Sequence, residues 1–80
     1  MKYIWELSDI KPGIRLKNKK NTENSEFLIG YRYSKNLEDG VIFLLIHLSD
    51  GLVLKESADK KDIVRHLNKY DYIPVKVENN

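Results

Sequence analysis

Eighty residues with 14 basic and 12 acidic side chains, a net charge of +2 and no cysteine make one small domain, residues 1–80. The near-neutral balance gives no ground for a polyanionic partner to the whole surface, and the lack of cysteine excludes disulfides and thiolate metal sites. No apolar run approaches the ~20 residues a membrane-spanning helix needs and no N-terminal stretch has the order of a signal peptide, so a soluble, cytoplasmic protein is expected.

KYIWEL (2–7) alternates and carries Tyr3, Ile4, Trp5 and Leu7, which predicts a first strand. SDIKPG (8–13) is a turn, with Pro12 setting φ and Gly13 supplying a permissive backbone. IRLK (14–17) is a short alternating strand with Ile14 and Leu16 inward. NKKNTENSE (18–26) is polar throughout and reads as an exposed, mobile loop. FLIGYRYSK (27–35) is a strand whose odd positions are Phe27, Ile29, Tyr31 and Tyr33, and whose even positions are Leu28, Gly30 and Arg32. Gly30 in its middle signals a bend, a bulge or a close approach. NLEDG (36–40) closes a hairpin onto VIFLLIHL (41–48), SDG (49–51) turns again, and LVLKE (52–56) follows as another strand.

From Ser57 the apolar period lengthens to about 3.6, predicting a helix over 58–69 with Ser57 as N-cap, Asp59 in its first turn, and a stripe of Ile63, Val64, Leu67 and Tyr70. YIPVKV (72–77) is a last strand, placed at a sheet edge or a bulge by Pro74, and residues 78–80 trail off as a frayed end. The expected order is β-β-β-β-β-α-β, a mainly β (α+β) chain.

With its short strands and tight turns, and above all its IKPGIRLK opening (10–17), the chain resembles a small SH3-like barrel or a strongly bent antiparallel sheet; the competing form is an α+β sheet with the helix covering one face. Its small size, lack of cysteine and richness in Lys, Asn, Ile and Tyr also resemble the accessory proteins carried by phages and mobile elements of low-GC bacteria. Inhibitors of host defence, the anti-CRISPR-like proteins, are one class of these. That resemblance implies a partner that is a bacterial host protein.

The run at 41–48 is apolar on both faces. Val41, Phe43, Leu45 and His47 form one, and Ile42, Leu44, Ile46 and Leu48 the other. One set fills the core, and the other needs cover from the helix stripe, from Trp5 or from another chain.

Catalytic chemistry is sparse. The two histidines are His47, between Ile46 and Leu48 on a strand, and His66, one helical turn after Asp62 and expected to pair with it. No phosphate loop, HExxH, GxSxG or EF-hand pattern occurs, so a non-enzyme without cofactor, metal or small-molecule substrate is expected. The basic run Arg15, Lys17, Lys19 and Lys20, with Trp5, Tyr31 and Tyr33 as stacking rings, fits an alternative role as a nucleic-acid-binding module. Against this, only three of the 14 basic residues are arginine, and Glu23 and Glu26 follow the run directly. The leading expectation is a small protein-binding protein, with self-association as a homodimer or assembly subunit as a further alternative. The residues expected to meet the partner are Tyr31, Arg32, Tyr33, His47, Tyr70 and Tyr72.

Overall fold

A computed structural model describes residues 3–18, 25–36 and 40–75. Five strands, β1 (Arg15–Asn18), β2 (Glu26–Tyr33), β3 (Val41–His47), β4 (Val53–Ser57) and β5 (Tyr72–Pro74), form one antiparallel sheet in the order β4-β3-β2-β1-β5. One α-helix, α1 (Lys60–Lys69), crosses beneath the sheet from the β4 edge and returns the chain to the β5 edge. The fold is thus the expected mainly β sheet with one helix, and the sheet stays open rather than closing into a barrel. Among the described residues, no helix is long and apolar enough to cross a membrane.

The turns follow their residues. Gly13, at φ 93°, lies in the left-handed region and donates its N–H to Ile29 O at 2.8 Å, tying the turn to β2. Gly51, at φ 74°, donates to His47 O at 2.8 Å and closes the β3–β4 hairpin. Gly30 makes no bulge, since β2 and β3 pair in unbroken register from Phe27↔His47 to Tyr33↔Val41. Its missing side chain instead admits Ile46 Cδ1, which lies 3.0 Å from where a Cβ would stand. The irregularity is in β4, where the register slips between Leu45↔Lys55 and Ile46↔Val53. Pro74 is at a sheet edge, as its missing N–H requires.

The helix begins two residues later than Ser57 as N-cap would place it. Asp59 is the cap, accepting from Lys61 N at 2.9 Å, and such a cap contributes about 1 kcal/mol. Ser57 ends β4 and spends its hydroxyl on Asp62 at 2.9 Å and on Asp59 N at 3.0 Å. α1 ends where Asp71 takes φ 56°, the left-handed position after the C-cap Tyr70.

The largest departure from expectation is at the start of the chain. Residues 3–6 form no strand, and Leu7–Asp9 is a short 3-10 helix. Trp5 alone plugs into the core, 2% exposed, while Tyr3, Ile4 and Leu7 stay at the surface. Burial of one ring, rather than strand alternation, positions the segment. The Trp5 indole N–H donates to Tyr72 O at 2.8 Å, and Asn68 brackets the Trp5 backbone by accepting from its N–H at 2.8 Å and donating to its C=O at 3.3 Å.

All of the clustered core lies on one side of the sheet: Leu16 from β1, Phe27 and Ile29 from β2, Leu45 from β3, Ile63 and Leu67 from α1, with Trp5, Ile10 and Tyr72 closing it. Phe43, Val64 and Ile14 pack at its margin.

Candidate functional site

Because strand side chains alternate, the register places the even positions of β2 and β3 on the side away from α1. An antiparallel sheet covered on one face normally turns polar residues to the other. Here that outer face holds Leu28, Ile42, Leu44 and Ile46, extended by Val53 opposite Ile46. α1 meets the sheet from the other side, and Leu28, Ile42 and Ile46 are half-buried. Leu44 is only 8% exposed yet stands outside the core cluster. This answers the question posed by the run at 41–48. The helix stripe and Trp5 both cover the odd, core face, and the even face has no cover from either.

Charges frame this apolar strip. Arg32 reaches Glu56 at 3.4 Å near one end, and Arg15 pairs with Glu26 at the other, with Lys17 beside them. Both ion pairs are exposed and contribute little to stability.

The six expected partner residues do not converge. Arg32 is on the outer face. Tyr31 and Tyr33 lie on the helix side but beyond the helix, 44% and 75% exposed, with their rings edge to face at 5.6 Å. The Tyr31 contact raises the Tyr33 pKa above the ordinary tyrosine value, chiefly through a hydrogen bond between the hydroxyls. Tyr31 borders a shallow apolar groove with Ile10, Val41 and Phe43, where Lys60 Nζ sits 5.2 Å from the Phe43 ring centre. Tyr70 is exposed at the end of α1. Tyr72 is a correction: it is 5% exposed, edge to face with Phe27 at 5.1 Å, and burial pushes its hydroxyl pKa up. It belongs to the core, not to a docking surface.

His47 also faces the helix side, tilted against Phe27 at 5.0 Å. Its Nδ1 lies 3.0 Å from Asp50 Oδ1, and Ser49 Oγ is 3.2 Å from Nδ1 and 3.3 Å from Nε2. Near-equal distances to both nitrogens set the hydroxyl against the ring, not in line with Nε2, where a general base takes a nucleophile's proton. Asp50 Oδ1 also accepts from Leu52 N at 2.9 Å, and this bond, more than the contact with His47, lowers the Asp50 pKa. The trio closes a turn. Among the described residues, no three His, Cys, Asp or Glu side chains are grouped to hold a metal ion.

The basic run is divided. Arg15 and Lys17 lie on the outer face, whereas Lys19 and Lys20 fall outside the described residues. Tyr31 and Tyr33 are on the opposite side of the sheet and Trp5 is buried, so the proposed stacking rings do not share a surface with Arg15 and Lys17.

His66 does not pair with Asp62, whose oxygens are taken by Ser57 and by Arg65 at 3.2 Å. Burial lowers the His66 pKa below the ordinary 6.5, and Lys55 and Lys69 push it further the same way. The unfolded chain therefore takes up this proton more readily than the folded one. The corresponding stability is complete above the unfolded value and is lost as pH falls towards the folded one. Denaturant midpoints should drop as pH falls below the ordinary histidine value of 6.5, and His66→Gln should flatten that slope. An unchanged slope in the variant would assign the dependence to other groups.

No protein-family model, curated protein or solved structure matches this chain.

Proposed function

We propose that the protein is a non-catalytic binding module that docks a partner protein on the outer face of its sheet. The observation that supports this reading is the apolar strip of half-buried Leu28, Ile42 and Ile46 around the buried Leu44, running on to the exposed Val53, with charges of both signs at its rim. Apolar centres with polar rims are the anatomy of protein interfaces, and contiguous exposed apolar patches mark such sites. The resemblance in size and composition to phage-carried accessory proteins makes a bacterial host protein the partner proposed, with inhibition of a defence system as one outcome of binding.

Docking through the face is favoured over strand addition at the edges. β4 carries its register slip at one edge, and β5 is three residues long and ends in Pro74 at the other. Both features discourage edge-to-edge pairing.

A second reading is a homodimer through the same face, favoured because each rim pair carries both signs and the surface is self-complementary. Light scattering separates the two, since a dimer that reverts to monomer in Leu28→Thr/Ile42→Thr/Ile46→Thr supports self-association. For a host partner, a protein captured by the wild type should be lost with that triple variant and kept with Lys19→Glu/Lys20→Glu. Capture that survives the first variant and fails with the second would overturn the outer-face reading and favour the basic run.

A further inference from the structure

On the helix side, away from the outer face, β4 and α1 flank an open pocket of about 240 Å³. Lys55 lines it from β4, and Asp62, Arg65, His66, Lys69 and Tyr70 line it from the helix and its cap. Three permanent cations and one carboxylate thus line it; the carboxylate is engaged by Ser57 and Arg65, and Lys69 Nζ lies 5.3 Å from the Tyr70 ring centre. Among the described residues, Lys55 and Lys69 form no ion pair with any carboxylate. A helix C-terminus attracts cations, which accounts for Lys69 and His66 but not for Lys55, delivered from a different element to the same space.

We propose that this pocket binds a phosphoryl group. Two ammonium groups, a guanidinium fork, an imidazole and a phenol hydroxyl supply more donors than a single carboxylate has oxygens to receive. A dianion balances the net charge of three cations and one carboxylate, and its three terminal oxygens can each accept from more than one donor. The crowding of like charge is felt by His66, whose proton affinity Lys55 and Lys69 depress, and an anion seated among them would reverse that effect. The site shares no residue with the outer face and does not rest on the protein-docking reading.

His66 is also the reporter. Its ring resonances are followed by NMR against pH with sodium pyrophosphate, with O-phosphoserine, and with sodium chloride at matched ionic strength. His47, in the β3–β4 turn, is the internal control. Pyrophosphate or O-phosphoserine should raise the His66 pKa by about one unit, with His47 unmoved. A larger response to pyrophosphate identifies a free polyphosphate, and a larger response to O-phosphoserine a phosphomonoester. Lys55→Gln/Lys69→Gln should raise the His66 pKa without ligand and abolish the further rise, whereas Lys55→Arg/Lys69→Arg, which keeps the charge and the fold, should retain it. A His66 that does not respond, a response shared equally with His47, or a rise that persists in Lys55→Gln/Lys69→Gln would overturn the assignment.

Discussion

Replacing Trp5 with alanine should remove a large share of the protein's stability. The ring is 2% exposed and closes the core where β5 and α1 meet, and deletion of such a side chain costs about 3–5 kcal/mol. An 80-residue domain has roughly 4–12 kcal/mol in all, so the loss takes a large share of it. At about 4–8 °C per kcal/mol for a domain of this size, the thermal midpoint should fall by at least ~12 °C. Trp5→Phe keeps most of the apolar contact but removes the indole donor to Tyr72 O, and should cost about 1–3 kcal/mol. Calorimetry of the two variants separates burial from hydrogen bonding. A midpoint within a few degrees of wild type for Trp5→Ala would show that the N-terminal segment does not hold the core closed.

The outer face should respond in the opposite manner. Leu28→Thr/Ile42→Thr/Ile46→Thr keeps strand propensity at the β-branched positions and removes nothing from the clustered core. Binding should fall by a hundredfold or more if two of the three side chains are hot spots of about 2 kcal/mol each. Stability should change far less than in Leu45→Ala, one residue along β3 and fully buried on the other side, where about 2–5 kcal/mol is at stake. Isothermal titration and denaturant melts on the same samples test the contrast. A triple variant that unfolds as readily as Leu45→Ala would make the outer face structural instead.

The hairpins and the helix were legible because their apolar period and their Gly, Pro and Asp turn residues agree along each segment. The first segment was not. Tyr3, Trp5 and Leu7 alternate as a strand would, yet the three have different fates, and only the tertiary socket beside Tyr72 and Asn68 decides which one is inside. Tyr72 shows the same limit. Its sequence neighbourhood suits an interface tyrosine equally well, and its direction comes from pairing opposite Asn18 at a sheet edge. The apolar strip was visible in the run at 41–48, but which parity faced the helix was not. The cationic pocket left no mark in the sequence, because Lys55 joins the helix residues only when α1 folds back against β4.

The one-sided cover of the sheet also changes how unfolding should be followed. Fluorescent dyes that light up on apolar surface are commonly read as reporters of denatured or molten protein. With Leu28, Ile42 and Ile46 presented on the native outer face, such a dye should already be bright in the folded state. The Thr triple variant should then be dimmer than the wild type at room temperature. A dye-based melt of the wild type would start high and understate its cooperativity, so circular dichroism or the fluorescence of the buried Trp5 is the sounder measure of folding.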